Sequence, residues 1–289
     1  MSFRIAILVA LLVCLVPAAV NGQDTPIVPA KVWKALANEI SGDIAFNHLR
    51  DLTLYHAPNG GSEGFRMEAE WVAAKAREAG LEDVRFYWMK SASRGWTIRG
   101  GEAWVVEPEE LKLGDVRETP LRVATNSHTT DVTAELVDVG AGTRDADYEG
   151  KDVKGKIVLA SAAPGAVQEQ AVWKRGALGI ISDGGREDLP DQLAWRGIPA
   201  RSQDGKHQST FAWILTPRQG RRLRAQMAAA SRMAKPGEAP QPFRVRVKIE
   251  AEFGEETGAV LEGWIRGTEI HDQAIVLTDI EHLLDRSLA

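Results

Sequence analysis

Gly60-Gly-Ser62-Glu-Gly64 has the G-x-S-x-G spacing of a nucleophile elbow. In that chemistry a strand runs straight into a tight turn, the turn exposes the serine Oγ, and a helix follows. A helix-forming segment does follow, but Pro58-Asn59 intervene where the strand should arrive. The histidines that could act as base, His207, His271 and His282, are placed by no motif. The same serine also suits a helix start, where its hydroxyl would accept a hydrogen bond from a first-turn N–H. That second role is the one its surroundings favour.

Carboxylates and a histidine gather again near the end of the sequence, as Asp279-Ile-Glu281-His282 and then Asp285. Such groups beyond a strand end could be metal ligands, but a zinc site needs three or four donors converging from separate elements. A polar chain terminus is the expectation here. Arg218, Arg221, Arg222, Arg224 and Arg232 fall on one helical segment, 217–232, with Leu223 and Met227 as its core face. They read as a solvated helix surface. The glycines at 140–142 and 184–185 lack the Lys-Ser/Thr of a phosphate loop and the spaced G-x-G-x-x-G, and read as turns.

These groups must be carried by a chain of 289 residues that is 44% hydrophobic and 26% charged, an ordinary globular composition. Its net charge of −5 argues against a nucleic-acid surface. Residues 1–22 have the form of a signal peptide. Arg4 supplies the positive start, Ile5–Val16 is apolar, Pro17 breaks the run, and Val20 and Gly22 stand at −3 and −1 before Gln23. The apolar stretch of about 16 residues is shorter than the roughly 20 that a spanning helix needs. Export to the periplasm or the extracellular space is therefore expected, with no membrane contact after cleavage. The one cysteine, Cys14, lies in that segment, and no small residue precedes it as a lipidation signal would require. The chain from Gln23 onward thus has no disulfide and no thiolate nucleophile. Its nine tryptophans offer large surfaces to bury instead.

The fold class expected is α/β, of mixed α+β character. Residues 31–55 are helical in pattern, with Val32, Trp33, Leu36 and Ile40 and then Ile44, Phe46 and Leu49 recurring. A second helix runs from Phe65 to Ala79 and stops at Gly80. Val84, Phe86 and Trp88 alternate as a strand. From about 91 to 256 short strands dominate: 103–106, 134–139, 156–160, 178–182 and 211–215. The pair around 156–182 encloses a helical stretch, 167–174, and so forms a parallel βαβ unit. A strand at 243–253 alternates apolar with charged residues, and 259–265 and 274–277 are the last strands.

Taken together these pieces resemble a known family. The run Asn59–Gly64 with Ala69-Glu-Trp71 and Ala79–Val84 is similar to the opening of the dizinc exopeptidases, the aminopeptidases and glutamate-carboxypeptidase-like enzymes. Ala134–Gly140, Lys154–Leu159 and Arg175–Asp183 resemble their inserted protease-associated domain. Ala259–Thr268 through Thr278 resembles the strand pair that returns to the catalytic sheet. After the signal peptide read at 1–22, the resemblance implies the N-terminal segment of an incomplete peptidase domain at 23–90, a β-rich protease-associated domain with the βαβ unit at 91–256, and returning strands at 257–289. Complete relatives hydrolyse peptides with two zinc ions sharing an activated water, and the inserted domain caps the cleft or joins an oligomer interface. In the family the returning strand ends in a His-x-Asp ligand pair, whereas Thr278 is followed by Asp279-Ile-Glu-His. No catalytic, cofactor-binding or metal-ligating residue is therefore assigned, and zinc is expected only in complete relatives. The function expected is that of an exported N-terminal half of a metallo-exopeptidase, inactive alone. A stand-alone module binding a peptide or protein partner is the alternative, and a serine hydrolase using Ser62 the more remote one.

Overall fold

The structure is a computed structural model and describes residues 29–57, 62–233, 241–267 and 276. The chain divides into two compact units between Thr53 and Leu54. In the first, α1 (Ala30–Glu39) and α2 (Gly42–Leu52) follow one another, and the Ser41 side chain accepts from Ile44 N at 3.3 Å to cap α2. Both helices are amphipathic, as the spacing of their apolar residues requires. Neither contains a buried residue: Trp33 and Phe46 are 64% and 66% exposed.

The second unit opens with α3 (Glu63–Glu78), followed by β1 (Glu82–Glu107) and β2 (Leu111–Asp115). Next come β3 (Thr130–Asp138), β4 (Ile157–Ala160), α4 (Pro164–Gln168), β5 (Gly179–Ser182) and β6 (Ala212–Ile214). The last two elements are α5 (Pro217–Met233) and β7 (Arg244–Trp264). One mixed sheet takes all seven strands in the order β2-β1-β7-β3-β4-β5-β6. β2, β1, β7 and β3 pair antiparallel, and β3 to β6 pair parallel. The α/β class expected from the sequence is the class observed.

Burial explains the strand sequences. In β4, Ile157 and Leu159 face one core and Val158 and Ala160 the other; in β5 and β6, Ile181 and Trp213 face the first, Ile180, Ala212 and Ile214 the second. Strands covered on both sides must be apolar at every position, which is how parallel sheets read. The first core adds Ala103 and Val105 of β1, Val245, Val247 and Ile249 of β7, and Leu223 of α5. The second lies under the connections, with Tyr148, Val153, Val167 and Ala171. Burial pushes the Tyr148 hydroxyl up to about 12, and it donates to Gly142 O at 2.7 Å. Each fully buried aliphatic side chain stabilises by about 1.5–3 kcal/mol before conformational entropy is charged against it.

Three elements differ from the expectation. The strands read at 84–88 and 103–106 are parts of one 26-residue strand, β1, and those at 243–253 and 259–265 are parts of one 21-residue strand, β7. Register shifts at Glu82/Arg85, Lys90/Arg94, Ile98/Gly100 and Val105/Glu107 let this ladder bend without ending, so glycine-rich stretches that suggest turns remain paired. The ladder crosses positions 90/91 and 256/257. The helix expected at 167–174 begins earlier, on Pro164, and passes into a π turn at Glu169–Trp173. The strand expected at 274–277 lies outside the described residues except for Val276, which is in no regular element.

Gly179 shows how tightly β5 meets β6. A Cβ there would stand 2.4 Å from Cζ of Phe211. Gly179→Ala should therefore cost about 1–3 kcal/mol through overpacking. Gly258→Ala, which meets nothing within 4 Å, should stay within about 0.5 kcal/mol of the parent. Denaturant midpoints of the two variants measure the difference.

Candidate functional site

The part of the second unit that stands apart from its cores is the outer end of the β1–β7 ladder. β2 pairs with β1 only at 102–105, and β3 pairs with β7 only at 244–249. Beyond those rungs β1 and β7 have only each other, down to the Glu82–Trp264 pair. Among the described residues no further strand pairs with either edge of this ribbon. A two-stranded ribbon is marginal in water without a third layer, and α3 supplies part of one. Phe65 meets Trp88 edge-on with centroids 6.4 Å apart, Arg77 donates to Val84 O, and Glu63 binds Arg99 at 2.9 Å. Tyr87, Met89 and Val260 stay exposed on the other face, at 45%, 53% and 49%. Charged pairs run across the ribbon: Arg85–Glu262 at 2.7 Å and Lys90–Glu255 at 3.1 Å. The carboxylate of Glu262 holds the Arg85 guanidinium above its ordinary range.

Ser62 precedes α3 and is 2% exposed. Its Oγ accepts from Phe65 N at 3.2 Å, so it is the helix cap, a role that stabilises by about 1 kcal/mol. A nucleophile elbow needs an exposed Oγ on a strand-to-helix turn. Ser62 is buried, and no strand precedes it among the described residues. Residues 58–61 of the motif lie outside the described residues. Just before them, burial lowers the His56 imidazole below its ordinary range, and its Nε2 is buried without a hydrogen bond. Gly64 packs so closely on His56 that a Cβ would meet the His56 carbonyl oxygen at 2.0 Å.

The other candidates are not brought together. His207 stacks on Trp173 at 6.4 Å, far in sequence from Ser62. His271, Asp279, Glu281, His282 and Asp285 lie outside the described residues. Among those described, no three His, Cys, Asp or Glu side chains group as a metal site would require. The glycines at 140 and 142 occupy turns with φ of +65° and +73°, which accounts for their type without a phosphate.

The arginine helix is more than a solvated face. Arg218 pairs with Asp191 and Arg221 with Glu187 on the surface. Arg224 instead reaches inward and grips Asp183 by two bonds of 2.6 and 2.9 Å, with Asp138 at 3.2 Å. Burial alone would lower the Arg224 pKa, but Asp183 and then Asp138 outweigh it and raise it. Gly220 makes room for this: a Cβ there would meet Asp183 Oδ2 at 1.9 Å. The only sequence trace of the clamp is a glycine four residues before an arginine on one helix.

Comparison with known proteins adds the following. No family model matches the chain, and no curated protein matches it. Among solved structures, a peptidase M28 precursor from Shewanella amazonensis is similar over 80% of this chain and 52% of its own, with TM-score 0.51 and 17% identity. BSAP, a zinc aminopeptidase from Bacillus subtilis, is similar over 73% of this chain and 43% of its own, with TM-score 0.47 and 19% identity. An aminopeptidase from Aneurinibacillus sp. strain AM-1 is similar over 75% and 46%, with TM-score 0.43 and 24% identity. The likeness to the Shewanella peptidase is a likeness of fold. The chain spans about half the length of these solved structures.

Arg224→Ala should leave the Asp183 carboxylate buried and unpaired, at a cost of about 3–5 kcal/mol. Arg221→Ala removes an exposed pair and should cost at most about 1 kcal/mol. Urea unfolding of both variants checks the ratio.

Proposed function

We propose that this chain is the exported amino-terminal half of a metallo-exopeptidase-like protein and has no hydrolytic site of its own. In this reading residues 1–22 are a cleaved signal peptide, 23–90 open the peptidase domain, 91–256 are an inserted protease-associated domain, and 257–289 return toward the catalytic sheet. The observation that carries it is the fold shared with the Shewanella peptidase, at about half that protein's length. The motif resemblance around Lys154–Leu159 and Arg175–Asp183 supports it further. Peptide hydrolysis with zinc belongs to the complete relatives in this view, and the part described here shapes or covers the substrate cleft.

The edges of the outer ribbon, with which no further strand pairs among the described residues, favour a second reading, a module that binds a peptide or protein by adding a strand to β1 or β7. Exposed main-chain donors and acceptors on a strand edge are the chemistry that such addition uses.

Purified to homogeneity and supplied with zinc, the chain should release no chromophore from aminoacyl nitroanilides. Activity that a chelator abolishes and zinc restores would overturn the proposal. Exported material should also begin near Gln23 by mass spectrometry, and a secreted protein that retains Met1 would remove the signal-peptide part.

A further inference from the structure

The outer ribbon joins the body of the sheet at one narrow place. There β1 shifts register between Lys90 and Arg94, and the next rung but one sets Gly95 opposite Gly254. Two facing glycines contribute no cross-strand side-chain contact, so this rung resists bending least. One rung inward, Trp96 pairs with Phe253, and a side-chain stack bridges the weak point. The Arg94 guanidinium lies over the Phe253 ring at 4.7 Å, and the His128 ring packs against the same Phe253 with centroids 4.7 Å apart.

His128 belongs to the body, not to the ribbon. Its backbone N–H donates to Thr210 O at 2.7 Å, and the preceding Ser127 carbonyl accepts from the buried Trp96 indole at 2.8 Å. The next residue, Thr129, uses its hydroxyl to bind both the N–H and the C=O of Ala251. So the segment 127–129 is a fixed clasp on β7, and His128 is its ring contact. We infer that His128, Phe253 and Arg94 form a proton-sensitive clasp that holds the outer ribbon against the body when the imidazole is neutral and releases it when the imidazole is charged.

The charges around the clasp favour this sense. From β1, Arg94 brings a like charge onto the same Phe253 ring. On β7 the neighbouring Glu252 and Glu255 are held by Arg99 and Lys90. On β3, which follows the clasp directly, Asp131 is held by Arg246. On the segment before β6, His207 stacks on Trp173. Each of these neighbouring carboxylates is thus already held by a cation other than an imidazolium at 128. Burial first, and Arg94 second, lower the His128 pKa below its ordinary value. A lowered histidine means the released form binds the proton more tightly, so closure is complete above the ordinary histidine pKa near 6.5 and weakens as pH falls through and below it.

Hydrogen exchange of the full chain tests this, read at amides 86–90 and 257–262 and corrected for intrinsic rates. On going from pH 7.5 to pH 5, protection in the ribbon should fall, because the released form binds the proton more tightly than the closed one. Amides of β4 and β5 should not change. His128→Phe keeps a ring against Phe253 and cannot be protonated, so its ribbon protection should be flat with pH. Should His128→Phe fail to fold, Arg94→Gln serves instead: removing the like charge narrows the gap between the closed and released pKa values, so the loss of protection on acidification should shrink. An unaltered pH response in the variant used, or an NMR titration placing the His128 pKa above 6.5, overturns the inference.

Discussion

The antiparallel ladder between β1 and β7 is the constraint on which the rest of the second unit depends. It runs from Glu82–Trp264 at its outer end to Glu107–Arg244 at its inner one, and every other strand is attached to one of its flanks. β2 hangs on β1, and β3 with its parallel partners hangs on β7. The first core is closed only when this ladder is in register, because a slip of one residue would turn Val245, Val247 and Ile249 outward and Arg246 and Lys248 inward. Register is fixed at the inner end by burial and at the outer end by paired charges. That division explains why the ladder can change twist at its bulges and still specify one alignment.

Legibility from the sequence followed burial. Lys156-Ile-Val-Leu-Ala160 and Gly179-Ile-Ile-Ser182 were readable because strands covered on both faces are apolar throughout, and 243–253 was readable because one face is wet. The continuity of β1 was not, since Ser91-Ala-Ser-Arg-Gly95 and Arg99-Gly-Gly101 have the composition of loops. Gly101 is nevertheless in the ladder, where a Cβ would stand 3.0 Å from Lys248 O. A close approach to a partner more than a hundred residues away leaves no local signature.

The same holds for the side-chain clusters. Ser62 could be read as a cap because its partner is three residues away. The Arg224–Asp183 clamp spans 41 residues, and its two ends sit in segments that look like a solvated helix and a turn. Arg94, His128 and Phe253 meet only because the ladder brings their strands together, and each alone is an unremarked residue. Polar groups whose partners are supplied by tertiary pairing are invisible to periodicity, whereas apolar ones announce themselves by spacing.

The wide separation of β1 from β7 has a consequence for how the chain is made. The segment between them spans residues 108–243, and at ordinary elongation rates β1 waits on the order of ten seconds before its partner is synthesised. During that interval Trp88, Met89 and Trp96 have no ladder to enter, and loop closure over such a span is slow compared with local pairing. The parallel strands β3 to β6, whose partners are near in sequence, can assemble first. The nascent chain thus carries a long, aromatic strand, paired only with β2 at its inner end, ahead of a nascent core, the situation in which a holdase most affects yield.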